Sequence, residues 1–136
     1  MVLTEIYEES KVGDKIVKQQ VLKIVFYAIN GTGLGHITRL NNIATDAANL
    51  CLKLGIEPRF SFITTSDAPA VVTDFLVTKF PSKTTVKSLG LPVKATTSAI
   101  KAQIVNYLNG ISPDCLVLDT NPKGSYSEFS FIQGLA

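Results

Sequence analysis

The stretch "KIVFYAINGTGLGHITRL", from Lys23 to Leu40, combines three glycines with the only histidine of the chain. Glycines let a backbone turn tightly and approach a ligand closely. The first N–H groups of a following helix are unpaired, so they favour an anionic or strongly hydrogen-bonding group. His36 begins that predicted helix, and an imidazole beside a substrate hydroxyl is a candidate general base. The loop therefore predicts a ligand site; the alternative is a tight turn in which His36 merely caps a helix.

This stretch departs from two familiar glycine-loop motifs. The dinucleotide fingerprint G-x-G-x-x-G is matched by Gly31 and Gly33, but His36 stands at its third glycine. That fingerprint also needs an acidic residue closing the second strand, and the second predicted strand ends "FITTS". A P-loop needs Lys and Ser or Thr after its last glycine, whereas Gly35 is followed by His36. The P-loop is excluded, and a dinucleotide-binding module of an oxidoreductase stays as an alternative that lacks two requirements.

Composition limits the class of protein. The chain has 136 residues, 46% of them hydrophobic and 18% charged, which suits one folded domain with an apolar core. A net charge of +2, 8% aromatic residues and no Trp argue against a nucleic-acid partner. No apolar run approaches a membrane span, and the first residues are polar, so we expect a cytoplasmic protein. Cys51 and Cys115 are expected to be reduced structural thiols, and one His without a CxxC pair predicts no metal site.

Hydrophobic periodicity along the first half of the chain alternates between strand and helix patterns. "KIVFYAI" is apolar, β-branched and aromatic, which predicts a buried strand of a parallel sheet. From His36 to Leu54 apolar residues recur at steps of three and four, which predicts a helix with Gly55 as its C-cap. The predicted inner face of this helix consists of Ile37, Leu40, Ala44, Ala47, Cys51 and Leu54. The next strand is predicted over "PRFSFITT", and residues 1–20 are left open between a frayed leader, an edge element and a helix.

The second half continues the alternation. A short helix is predicted over "SDAPAVVTDFL", a weak strand over "VTKFP" and a loop over "SKTTVKSLGLPVKA". A further helix begins at Thr96 to Ser98 and is stopped by Gly110 and Pro113. Its predicted inner face consists of Ile100, Ile104, Tyr107 and Leu108. "DCLVLD" is predicted as a buried strand ending at Asp119, "TNPKGSYS" as a loop and "EFSFIQGLA" as the opening of another helix.

This order predicts an α/β fold: a Rossmann-like parallel sheet with helices on both faces, a three-layer α/β/α arrangement. Ligands of such sheets gather at the carboxyl ends of the strands. Two unusual loops lie there, from Asn30 to His36 and from Asp119 to Ser125.

The motif "GTGLGHITR" resembles the first loop of glycosyltransferases with two Rossmann-like domains, the GT-B fold. It is similar to the GTGGH-type loop of the family that adds N-acetylglucosamine to the lipid-linked peptidoglycan precursor. It is closer still to predicted glycosyltransferases whose loop reads GxGLGHxTR. "PDCLVLDTNPKGSYSE" resembles a later segment of these proteins, where a strand ends in Asp and a Pro-x-Gly turn follows. The resemblance covers residues 22–136 and leaves residues 1–21 as a leader of uncertain structure.

The resemblance implies the N-terminal, acceptor-side domain of a nucleotide-sugar-dependent glycosyltransferase. Such an enzyme transfers a hexose or N-acetylhexosamine, here from a UDP-linked donor, to an acceptor hydroxyl without a cofactor or metal. By the same resemblance His36 is the catalytic base, and Asp119 orients His36 or binds the acceptor, or else is only a polar strand end. Arg39 lies in the first turn of the predicted helix and could touch substrate, but a solvated helix residue is the favoured interpretation. The implied substrate-binding residues are Gly31, Thr32, Gly33, Gly35, Thr38, Asp119 and Asn121.

The implied partners are the nucleotide-sugar donor, a carbohydrate or lipid-linked acceptor and a C-terminal nucleotide-binding domain. Because that second domain is missing from this sequence, we expect the domain to be incomplete and the isolated chain to be inactive. A non-catalytic α/β scaffold remains a further alternative. A lesser alternative is peripheral membrane contact through a patch of apolar and basic residues. Core packing explains two of its members, Phe75 and Leu76, more simply. The patch consists of Phe75, Leu76, Lys79, Phe80, Lys83 and Lys87.

Overall fold

The computed structural model describes residues 6–12, 15–28, 35–65 and 74–119 of the chain. Within these ranges the chain forms five strands and three helices. They are β1 (Ile6–Val12), β2 (Lys15–Ala28), α1 (Gly35–Lys53), β3 (Glu57–Thr64), β4 (Leu76–Lys79), α2 (Lys83–Ser88), α3 (Val93–Ile111) and β5 (Cys115–Asp119). The alternation of strands and helices predicted from residue 22 onward is confirmed for these ranges.

One sheet contains all of these strands. β2 lies at its centre, with β3 parallel along one side and β5 parallel along the other, and β4 extends the sheet parallel to β3. β1 pairs antiparallel with the first half of β2, so residues 6–12 form an edge element, one of the three interpretations that the sequence left open for residues 1–20. The fold is α/β and Rossmann-like, as predicted.

The strand order reverses beside β2. The chain moves outward from β2 through β3 to β4 and then returns to β5 on the other side of β2. Such a reversal opens a crevice at the carboxyl ends of the two strands that flank it. Ala28, the last residue of β2, pairs with Asp119 at the end of β5 and with Thr64 at the end of β3. These three residues therefore form one row across the carboxyl edge of the sheet.

A pair of hydrogen bonds sets the register of β5 at its other end. The Lys23 backbone N–H donates to Asp114 Oδ2 over 2.9 Å, and the Asp114 N–H donates to the Lys23 carbonyl over 2.8 Å. This clamp starts the pairing of β5 with β2 directly before Cys115. It thereby fixes which residue of β5 reaches the carboxyl edge.

Two apolar layers enclose the sheet, because side chains of successive strand residues point to opposite faces. On one face α1 packs over β2 and β3. The buried residues of this layer are Phe26, Ala28, Ile37, Leu40, Ala44, Cys51, Phe60 and Phe62. On the other face α2 and α3 cover the sheet. The buried members there are Val25, Tyr27, Ile63, Phe80, Val86, Ile100, Ile104 and Leu108. The three-layer arrangement is confirmed.

Helix α1 follows the predicted pattern except at its end. Gly55 has φ +73°, a left-handed conformation that suits glycine after a helix, as predicted. Ala47 is half-buried. Leu54 was predicted on the inner face but is 66% exposed, because α1 ends at Lys53 and the turn carries Leu54 outward.

The second half differs from prediction in two helices. The segment predicted as a loop contains α2, whose N-cap Ser82 accepts a hydrogen bond from the Thr85 N–H and whose Val86 is buried in the core. One buried anchor and one cap hold this short helix, too little for a periodic pattern. Helix α3 begins earlier than predicted and runs through Gly110. It ends before Ser112, which adopts φ 50° and donates its N–H to the Leu108 carbonyl.

Two aromatic members of the proposed membrane patch contribute to the core. Phe80 is buried, and Phe75 packs against the rings of Phe60 and Phe62. Leu76 is 69% exposed, so core packing does not account for it. Of the helices in the described ranges, none has the length and apolar character that crossing a membrane requires.

Several sequence predictions lie outside the described residues. They concern most of the helix over "SDAPAVVTDFL", the loop over "TNPKGSYS" and the helix over "EFSFIQGLA".

Candidate functional site

The candidate site lies where α1 begins, at the carboxyl edge of the sheet beside the strand-order reversal. His36 and Arg39 are three residues apart on α1, so they share one side of its first turn. Asp119 is the last residue of β5. Helix and strand thus bring together three side chains that are far apart in the sequence.

These three side chains contact one another directly. His36 Nδ1 lies 3.2 Å from Asp119 Oδ2. Arg39 Nη2 donates to both carboxylate oxygens of Asp119 over 2.7 Å. The same Nη2 lies 3.1 Å from His36 Nδ1. We call this group the His–Asp–Arg cluster.

Asp119 is the enclosed member of the cluster. Its side chain is 11% exposed, against 38% for His36 and 58% for Arg39. Hydrogen bonding from Arg39 is the largest cause that holds the pKa of Asp119 below its ordinary value, and the contact with His36 acts in the same direction. Burial opposes this lowering. Asp119 is therefore an anion at neutral pH, and its shortest contacts are with the Arg39 guanidinium.

Gly35 keeps the start of α1 open. It is exposed, and a Cβ added to it would meet nothing within 4 Å. Packing within the described chain therefore does not require glycine at this position. The first N–H groups of α1 have no partner within the helix itself.

The predicted site residues divide into those that the structure describes and those that it does not. His36 and Asp119 are in contact, and Gly35 and the exposed Thr38 lie in the same helical turn. Gly31, Thr32, Gly33 and Asn121 lie outside the described residues. Arg39 is exposed, as expected of a solvated residue, but its guanidinium is bound to Asp119.

Thr64 lies near the site, but the sequence did not predict it as a site residue. The strand register places it in the row of Ala28 and Asp119, on the sheet face that α1 covers. It is fully buried, and its Oγ1 has no hydrogen-bond partner among the described residues. The alternation of Phe60, Phe62 and Thr64 could have shown a hydroxyl on the apolar face of β3.

Two clefts among the described residues lie away from the cluster. One of about 460 Å³ is lined by Lys23, Arg59 and Tyr107, and one of about 310 Å³ by Asp114 and Cys115. Both contain residues from the amino ends of the strands, opposite the edge that carries Asp119. The cluster at the carboxyl edge joins three side chains in direct contact, so it is the stronger site on chemical grounds.

Metal binding has no candidate ligand set in the part of the chain that the structure describes. No three His, Cys, Asp or Glu side chains come together there. Cys51 is buried, Cys115 is half-buried, both thiols are free, and burial raises the pKa of each.

Fold and site together define an α/β protein of Rossmann-like architecture with a His–Asp–Arg cluster at its strand-order reversal. Comparisons of the chain with protein-family models, with curated proteins and with solved structures give no match.

Proposed function

We propose that this chain is the acceptor-side domain of a nucleotide-sugar-dependent glycosyltransferase and that His36 is its general base. The observation that carries the proposal is the 3.2 Å contact between His36 Nδ1 and Asp119 Oδ2 at the carboxyl edge of a parallel sheet. The resemblance of "GTGLGHITR" to glycosyltransferase loops supplies the reaction class.

The chemistry follows from the two ring nitrogens of His36. When Nδ1 carries the proton and donates it to Asp119, Nε2 has the lone pair and can accept a proton. Nε2 then takes the proton of the acceptor hydroxyl while that oxygen attacks the anomeric carbon of the donor sugar. The bond to the nucleotide diphosphate breaks, and the diphosphate leaves with the electron pair. Asp119 stabilises the imidazolium that forms, as a carboxylate partner of a catalytic His does.

The first turn of α1 would face the donor. Its N–H groups and the positive end of the helix dipole favour the phosphates of a UDP-sugar. Gly35 leaves room for such an approach, because a Cβ built on it would meet nothing within 4 Å among the described residues. The transferred group is a hexose or N-acetylhexosamine, and the donor nucleotide is held mainly by a C-terminal nucleotide-binding domain.

The free thiols of Cys51 and Cys115 support a cytoplasmic location. A lipid-linked acceptor would add peripheral contact with a membrane.

The experiment that tests the proposal is an NMR titration of the ¹⁵N-labelled chain. We expect UDP-N-acetylglucosamine or UDP-glucose to shift the amide signals of Gly35, His36, Arg39 and Asp119, and NAD to leave them unchanged. Gly35→Ala should weaken binding about tenfold, roughly 1.4 kcal/mol, without loss of stability, because its methyl group meets ligand and not protein.

Gly110→Ala is the matched control. Its added Cβ also meets nothing within 4 Å, but Gly110 lies near the end of α3, far from the cluster, so binding should not change. Shifts confined to the amino edge of the sheet would contradict the proposal. Tight binding of NAD without binding of nucleotide sugars would instead favour the oxidoreductase alternative.

A further inference from the structure

The Nδ1 atom of His36 faces two partners with opposite demands. Asp119 Oδ2, 3.2 Å away, can only accept a hydrogen bond. Arg39 Nη2, 3.1 Å away, can only donate one. A ring nitrogen carries either a hydrogen or a lone pair, so Nδ1 satisfies one of these two partners at a time.

Each choice leaves one mismatched contact. If Nδ1 carries the hydrogen, it bonds to Asp119 but lies 3.1 Å from a second donor, the guanidinium. If Nδ1 carries the lone pair, it accepts from Arg39 but lies 3.2 Å from a carboxylate oxygen. The shortest contacts of the cluster, both 2.7 Å, join Arg39 to Asp119. The guanidinium is therefore seated where it can also donate to Nδ1, and this seating favours the Nε2–H form of the ring.

Arg39 is the partner that can leave. Its side chain is 58% exposed, whereas that of Asp119 is 11% exposed and attached to the end of β5. An exposed arginine has little desolvation to undo when it exchanges one anion for another. A planar guanidinium can bind a phosphate or carboxylate group through two nitrogens, with two parallel hydrogen bonds. In this cluster only one nitrogen of Arg39, Nη2, donates to Asp119.

We propose that Arg39 is a positioning residue that keeps His36 in its Nε2–H form until an anionic group of the substrate draws the guanidinium away from Asp119. The ring then holds its proton on Nδ1, hydrogen-bonded to Asp119, and carries its lone pair on Nε2. The ring releases the Nε2 proton to water and takes up one proton from water at Nδ1, so its charge is unchanged. A substrate with a phosphate or carboxylate group prepares the base, and a neutral sugar does not.

This inference rests on the proposed function only in the use of the base; the exchange of ring protons needs no sugar transfer. The chain has a single His, so long-range ¹H–¹⁵N NMR reports the protonation of Nδ1 and Nε2 of His36 without overlap. The samples are the full chain, Arg39→Ala, Arg39→Lys and Arg59→Ala at neutral pH. Arg59 is the only other arginine, and it pairs with Glu57 near the start of β3. It is therefore the matched control for loss of one arginine.

We expect the Nε2–H form as the major species of the full chain and of Arg59→Ala, and the Nδ1–H form in Arg39→Ala. Arg39→Lys should shift the population in the same direction by less, since the ammonium keeps the charge but loses the planar shape. Inorganic phosphate should move the full chain toward the Nδ1–H form and leave Arg39→Ala unchanged. Sodium chloride at equal ionic strength separates specific binding from charge screening.

The same major form in the full chain and in both Arg39 variants would overturn the inference. A response to phosphate no larger than that to sodium chloride would also overturn it. Either result leaves the sugar titration untouched, and a failed sugar titration leaves the ring populations untouched, so the two proposals fail separately.

Discussion

At the scale of residues, the site depends on one enclosed carboxylate. Asp119 sits at the end of a strand and is reached by two side chains from the first turn of α1. The sequence pointed to His36 and Asp119, because both lie next to predicted strand ends with unusual loops. It favoured a solvated helix residue over a substrate contact for Arg39, because a cation three residues after His36 looks the same whether it meets solvent or a distant strand. Arg39 and Asp119 are far apart in the sequence and come into contact only in the folded chain.

The pH dependence of stability tests the role of Asp119. A carboxyl group whose pKa is lowered by folding stabilises the fold above its ordinary pKa, and this stabilisation is lost as the pH falls through the folded value. We expect Asp119→Asn to lower the free energy of unfolding by about 1–2 kcal/mol at pH 7, a modest figure because Arg39 is exposed.

The difference between the two proteins should shrink toward zero below about pH 4, where the carboxyl group begins to be protonated. Urea unfolding at a series of pH values measures it. Asp46→Asn, which changes an exposed carboxylate in the middle of α1, is the control. A stability loss from Asp119→Asn that is the same at pH 7 and pH 3 would contradict the assigned pairing.

At the scale of elements, periodicity predicted the long elements and failed for short ones. The bounds of α1, β3 and β5 were predicted within a few residues. Buried strands appear as continuous apolar runs, and the buried face of a helix appears as apolar residues at steps of three and four. α2 has six residues and one fully buried apolar side chain, Val86, so no period can develop. β1 and the first half of β2 are polar segments that pair with each other. The hydrophobic pattern of a single segment does not show such a pairing.

The end of α3 offers a test of backbone conformation. Ser112 is the only non-glycine residue with a positive φ in the described ranges, and its φ of 50° suits glycine better. We expect Ser112→Gly to raise the free energy of unfolding by roughly 0.5–1 kcal/mol, the strain relieved minus the entropy that glycine adds to the unfolded chain.

The matched reverse substitution is Gly55→Ala, at φ +73° after α1, which should lower stability by about 1 kcal/mol. Thermal unfolding followed by circular dichroism measures both. Stabilisation by Gly55→Ala, or destabilisation by Ser112→Gly, would mean that these helix ends adopt other conformations.

At the scale of the whole molecule, the order of the strands creates the site. The alternation of elements predicted a parallel sheet, but the sequence could not say that β5 returns to the free side of β2, since order depends on which buried strands fit together. That return places Asp119 beside Ala28 and in reach of α1. The two apolar layers on either side of the sheet keep this edge in register.

The proposed division of labour between domains predicts that the chain alone is not an enzyme. We expect no sugar transfer from UDP-N-acetylglucosamine, UDP-glucose or UDP-galactose to hydroxyl acceptors, because the donor nucleotide is held mainly by another domain. Chromatographic detection of released UDP measures turnover. Transfer by the isolated chain, lost in His36→Asn, would contradict the division of labour while supporting His36 as the base.

Chemical modification of the single imidazole tests most directly that His36 lines a carbohydrate-binding cleft. Diethyl pyrocarbonate modifies His36, and mass spectrometry of the peptide that contains it gives the rate. Saturating UDP-N-acetylglucosamine should slow this modification, whereas NAD should leave the rate unchanged. An unchanged rate under conditions in which the sugar nucleotide is bound would contradict the account, because the ligand would then sit elsewhere on the molecule.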